Sequence, residues 1–132
     1  MGEVQHTGGC QCGAVRYRFA KPLNGIVNCH CSQCRRTHGH FGAYTNADLD
    51  QFQLLEERGL KWFRASDIAR RGFCKECGAT LFWSGDSDER IGISAGTLDE
   101  PTNLKTIGHI FVADKGDYYE ITDNLPQHDQ SS

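Results

Sequence analysis

Seven cysteines in three tight groups constrain this 132-residue chain more than any other feature. They fall as Cys10-x-Cys12, Cys29-x-Cys31-x-x-Cys34 and Cys74-x-x-Cys77. In an extended segment residues i and i+2 project to the same side, so Cys10 with Cys12, and Cys29 with Cys31, can act as pincers. Cys74-Lys75-Glu76-Cys77-Gly78 has the form of a zinc knuckle. A glycine after the second cysteine takes a left-handed turn without a Cβ clash and lets backbone N–H groups face the thiolates. Gly8, Gly9 and Gly13 frame the first pair in a similar way. An odd cysteine count argues against a disulfide framework, as does the opening Met1-Gly2-Glu3-Val4-Gln5-His6, which has no apolar signal core. A reducing, cytoplasmic setting is expected, where clustered cysteines are usually metal ligands or catalysts.

Seven divides naturally as four plus three. Two pairs, Cys10/Cys12 and Cys74/Cys77, supply a closed tetrahedral four-cysteine zinc site of the structural kind. Structural zinc contributes an apparent ~10–16 kcal/mol in small zinc peptides. That helps a chain in which Leu, Ile, Val and Phe make up only about a fifth of the residues. The triplet Cys29, Cys31 and Cys34 offers three thiolates and leaves one tetrahedral position for water or substrate, as catalytic zinc sites do. Alternatively a side chain closes it. His38, four residues past Cys34, is the better candidate, because His30 lies between two ligands and should point away. Two zinc ions per chain are therefore expected.

Strand and turn signals recur every ten or so residues, which favours a mainly β, antiparallel-sheet fold built around the zinc sites. Val15, Tyr17 and Phe19 alternate with Arg16 and Arg18 as in a half-buried strand. Phe52 and Leu54 alternate with Gln51 and Gln53, and further strands are expected at 60–64, 68–73, 79–83, 90–94, 107–112 and 117–121. One short helix is expected at Ser32–His38, beside the Cys29–Cys34 motif, with Ser32 as its N-cap. The length suits a single domain spanning 1–132, with a frayed, disordered tail at 127–132. No apolar run approaches the ~18 residues of a membrane span. The net charge of −3 gives no electrostatic footprint for nucleic acid, and metal-bound thiolates make the sign less favourable still.

The motifs also carry a resemblance. The segments Gly8–Tyr17 (GGCQCGAVRY), Cys29–Arg36 (CHCSQCRR), Gly72–Ala79 (GFCKECGA) and Ser94–Asp99 (SAGTLD) resemble the glutathione-dependent formaldehyde-activating enzyme family, which includes centromere protein V. The likeness runs from about residue 6 to about 126. His109-Ile110-Phe111-Val112 and Asn124-Leu125-Pro126 resemble its short bacterial branch. The resemblance implies a mostly β fold with a structural zinc on Cys10, Cys12, Cys74 and Cys77 and a catalytic zinc on Cys29, Cys31 and Cys34. It implies carbon–sulfur lyase chemistry, the joining of glutathione or a similar small thiol to formaldehyde or another small aldehyde to give an S-hydroxymethyl adduct. Two departures stand out: the chain is short, and its triplet has His30 where the named enzyme has Gly.

Among other residues, Arg35 or Arg36 could grip a substrate carboxylate with two hydrogen bonds. His109 could shuttle a proton near neutral pH or serve as a structural histidine. His6, His40 and His128 read as surface residues, and Trp62, Phe63, Phe82 and Trp83 as core or pocket wall. The rival to a zinc enzyme is a non-catalytic, zinc-stabilised interaction module whose triplet is closed by a protein ligand.

Overall fold

The computed structural model describes residues 5–22 and 25–131. Among them run β1 (Gln5–Gly9), β2 (Arg16–Ala20), β3 (Ile26–Cys29), α1 (Ser32–His38), β4 (Gly42–Asp48) and β5 (Phe52–Glu56). Then follow β6 (Leu60–Arg64), β7 (Ala69–Cys74), β8 (Thr80–Gly85), β9 (Arg90–Ser94) and β10 (Thr106–Ile110). The protein is thus mainly β with one helix. The chain packs as two compact units, one within Met1–Asn24 and Thr45–Asn103, the other within Gly25–Tyr44 and Leu104–Ser132.

In the first unit β2 lies between β1 and β5, antiparallel to both. Strands β6, β7, β8 and β9 pair in succession, also antiparallel. The period-2 pattern of β2 sends Tyr17 and Phe19 into the core and leaves Arg18 exposed. Tyr17 packs 5.8 Å from the Phe52 ring and edge-on, at 5.3 Å, to Phe82. Its hydroxyl donates to Thr97 Oγ1 at 2.7 Å, because Thr97 in turn gives its hydrogen to the Ser94 carbonyl. Gly8 faces Tyr17 across the β1–β2 ladder. A Cβ there would run into the Tyr17 hydroxyl and the Thr97 carbonyl. The same alternation buries His6, expected at the surface, where it stacks on Phe19 at 5.2 Å. Phe82 is buried as expected, whereas Phe63 is 62% exposed because its register on β6 turns it outward.

In the second unit β3 pairs antiparallel with residues 42–44 of β4 and parallel with β10. Cys29 thereby sits beside Gly42 on one side and Ile110 on the other. Helix α1 occupies the expected residues, but its N-cap is Cys31 and not Ser32. The Cys31 sulfur accepts from the Cys34 N–H at 3.3 Å, so a candidate ligand does the capping. Gly39, at φ 81°, ends the helix by donating to the Arg35 carbonyl.

Two further expectations differ from the structure here. Residues 117–121 form no strand. Lys115 Nζ donates to the Gly116 carbonyl at 3.1 Å and the Tyr119 carbonyl at 2.6 Å, gathering the segment into a turn. Residues 127–130, expected to be a disordered tail, are tied to β10 and the residues after it. His128 N–H donates to the His109 carbonyl, Val112 N–H to the His128 carbonyl and Phe111 N–H to the Gln130 carbonyl, at 3.0–3.1 Å. Open strand-edge groups take such partners. Met1–Val4 and Ser132 lie outside the described residues.

Candidate metal centres and active site

Strand ends and tight turns of the first unit bring Cys10, Cys12, Cys74 and Cys77 together, their sulfurs all within 4.8 Å of one another. Cys10 to Cys12 and Cys12 to Cys74 are both 3.7 Å, sulfur to sulfur. A tetrahedron with zinc–sulfur distances of ~2.3 Å has edges of about 3.8 Å. The donor set therefore fits an ion of that size and softness. Gly13 and Gly78 adopt φ of 86° and 81°, the left-handed turns that the Cys-Gly spacing anticipates. Backbone N–H groups face the sulfurs: Val15 donates to Cys10 at 3.2 Å and Cys77 to Cys74 at 3.4 Å. The Ala79 and Cys12 N–H groups lower the Cys77 thiol to about 6. One contributor was not evident from the motifs. Gly59 passes so close that a Cβ would lie 2.8 Å from the Cys74 sulfur and 2.7 Å from the Ala14 Cβ.

The second unit gathers Cys29 at the end of β3, Cys31 at the α1 cap and Cys34 in its first turn, again within 4.8 Å. Among the described residues no histidine or carboxylate joins this group. His38 instead places Nε2 2.6 Å from the Tyr44 hydroxyl. Contact with the Cys29 and Cys34 thiols pushes Cys31 far down, against the effect of burial, with the Cys34 and Gln33 N–H groups adding to it. The same proximity to Cys31 and Cys34, together with burial, pushes Cys29 up. Negative charge thus collects at the helix cap, amid sulfurs that can share a cation.

His30 does point away from the sulfurs. It is buried, with Nδ1 on the Tyr119 hydroxyl and Nε2 2.9 Å from His109 Nδ1. Burial and the charge of His109 push its pKa down to about 4. His109 lies within β10, and its other nitrogen is 2.8 Å from Asp123 Oδ2. With both nitrogens engaged and the ring buried, His109 presents neither to a substrate. The Leu125 N–H and His109 hold the Asp123 carboxyl below the usual range. Phe41 and His40 pack against this group, with His40 4.5 Å from both the Phe41 and Tyr119 rings. Arg35, on α1 directly after Cys34, has a buried Nε without a hydrogen-bond partner, and its charge acts on Tyr119. Arg36 is exposed. Tyr119 and Asp123 were not singled out by sequence reasoning, since Tyr119 lies where a strand was expected, Asp123 just beyond it, and neither belongs to a cysteine motif.

The family model for glutathione-dependent formaldehyde-activating enzymes matches residues 5–114. The chain belongs to this family. A Halomonas elongata protein, provisionally named a glutathione-dependent formaldehyde-activating enzyme, is 30% identical over 126 residues, covering 86% of this chain and 79% of its own. An uncharacterized lyase of Schizosaccharomyces pombe is 24% identical over 119 residues, covering 89% of this chain and 85% of its own. The fold matches the crystal structure of a Rhodobacter sphaeroides protein with a TM-score of 0.63 at 23% identity, covering 92% of this chain and 98% of that one. This glutathione-dependent formaldehyde-activating family member has no helix long and apolar enough to cross a membrane among its described residues.

Proposed function

We propose that the protein is a zinc-dependent carbon–sulfur lyase that joins a small thiol, glutathione or a relative of it, to formaldehyde, and runs the reverse cleavage. The observation that carries this reading is the triplet: three converging sulfurs joined by no histidine, carboxylate or further cysteine among the described residues. Cys29, Cys31 and Cys34 would hold the catalytic zinc, and Cys10, Cys12, Cys74 and Cys77 a structural one. When bound, zinc with an open position supplies a place where a thiol is deprotonated at neutral pH. Arg35 serves the thiol's carboxylate: a guanidinium with a buried, unpartnered Nε is suited to an anion. His109 serves from within, holding His30 and not the substrate. A reducing cytoplasm, which keeps thiols free, is the compartment that suits this chemistry.

A non-catalytic module would need the triplet closed, and the bond from His38 to Tyr44 counts against that role for His38. The reading is tested by exchange NMR on zinc-loaded protein with glutathione and formaldehyde. We expect faster formation and breakdown of the S-hydroxymethyl adduct than in buffer, and no acceleration by Cys34→Ser. Buffer-like exchange with glutathione and with every other small thiol tried would remove the enzyme reading.

A further inference from the structure

His38 is a metal-ligating side chain held beside the triplet and kept out of it. It follows Cys34 by four residues on α1, so the two side chains leave the same face of the helix. Two ligands with three residues between them is also a usual spacing for holding one zinc ion. Across the sheet, Gly42 pairs with Cys29 in the β3–β4 ladder, and paired positions project to one face. At Gly42 that face is taken by His38: a Cβ there would lie 2.8 Å from His38 Cδ2. The imidazole therefore lies beside Cys34 along the helix and beside Cys29 across the sheet. Yet among the described residues no ring nitrogen joins the three sulfurs.

Tyr44 accounts for this. It lies two residues past Gly42 on β4 and so projects to the same face. The missing side chain of Gly42 lets the two rings meet over it, since a Cβ would also lie 2.7 Å from Tyr44 Cε2. They meet edge-on, with centroids 5.3 Å apart at 80°. The Tyr44 hydroxyl is 2.6 Å from His38 Nε2. A nitrogen in that bond has no lone pair for an ion, whichever atom carries the hydrogen, and the ring is held with it. We infer that Tyr44 is a positioning residue that keeps the triplet's fourth position open for the thiol by holding His38 off it. The inference rests on the triplet being the thiol–carbonyl site. Water is the other occupant of that position, so the balance between open and His38-closed forms depends only on the difference between two ligands. Loss of one neutral hydrogen bond shifts such a balance about three- to tenfold.

Cadmium-113 in place of zinc tests this, with the metal alone as the probe. In the wild type, proton–cadmium NMR should connect the triplet ion to the β-protons of Cys29, Cys31 and Cys34 and to no histidine. Tyr44→Phe, which keeps the ring and loses the hydroxyl, should add a connection to the His38 ring protons, and Tyr44→Met should do the same. Calorimetry on zinc-loaded protein should then show glutathione binding weakened about three- to tenfold in Tyr44→Phe, because only the open fraction binds. In a His38→Ala background, loss of the Tyr44 hydroxyl should leave glutathione binding unchanged. An ion without His38 in both hydroxyl-free variants would overturn the inference, as would an equal loss of affinity in the His38→Ala background. A His38 connection in the wild type would overturn the open triplet itself. If the wild type binds no thiol, the thiol–carbonyl reading falls and the purpose given to Tyr44 falls with it. The cadmium connections would be unchanged in that case, so the two failures are told apart.

Discussion

Arg35 sits one residue past Cys34 with its Nε buried and unpartnered, and that single atom carries a prediction. Arg35→Ala should weaken binding of a carboxylate-bearing thiol about ten- to a hundredfold, the worth of a charge-assisted bond of roughly 1.5–3 kcal/mol. A carboxylate-free thiol should bind both proteins alike. Titrations with glutathione and with 2-mercaptoethanol check this, and equal losses for the two thiols would deny Arg35 the carboxylate role. At this scale the cysteines were legible because ligand spacing is local: a pincer needs two residues, and a knuckle needs a glycine at the next position. The Tyr119–His30–His109–Asp123 line was not legible. Its members are up to 93 positions apart and meet only because β3 and β10 pair in parallel and the turn after β10 folds back.

Among the elements, β1 and β2 hold the first cysteine pair in place, and their contact depends on a glycine. Gly8→Ala would drive a methyl group into the Tyr17 hydroxyl and the Thr97 carbonyl, and the carbonyl is backbone that cannot swing aside. We expect a loss of roughly 1–3 kcal/mol, the usual range for overpacking, read by urea denaturation of the metal-loaded protein. A smaller effect belongs to the exposed Arg16–Asp99 pair, 2.6 Å apart, to which Thr7 adds a hydrogen bond. Arg16 and Thr7 hold the Asp99 carboxyl below its ordinary value. Its contribution is therefore present above about pH 4 and lost as pH falls through the lower folded value. For a pair this exposed it amounts to less than about 1 kcal/mol. Asp99→Asn should show a shallower loss of melting temperature below pH 4 than wild type; an identical acid profile would deny the pair that role. Strand periodicity was readable wherever one face is buried, as at Tyr17 and Phe19. It failed at 117–121, where aromatic residues that suit a strand are drawn into a turn by the ammonium of Lys115.

For the whole molecule, the two cysteine groups belong to different compact units, and their removal should have different consequences. Cys77→Ser should lose one zinc and several kcal/mol of stability, because the four-sulfur group ties the turns after β1 and β7 together. Cys31→Ser should lose one zinc while the first unit keeps its structure, as metal analysis and amide NMR can show. Equal unfolding of the two variants would mean that the roles of the sites are misassigned. The division into four and three was readable from spacing, and so was a mainly β chain. The boundary between the units was not, because it depends on long-range pairing that short windows do not record. The central claim is that the triplet binds a metal with a position left for substrate thiol. Cobalt in place of zinc reports it directly, since the sulfur-to-cobalt charge-transfer bands change when a fourth sulfur joins. Glutathione should alter these bands in the wild type, and the change should vanish in Cys34→Ser while His38→Ala leaves the resting spectrum as it was. A spectrum indifferent to every thiol but altered by His38→Ala would contradict the account and mark the triplet as a closed structural site.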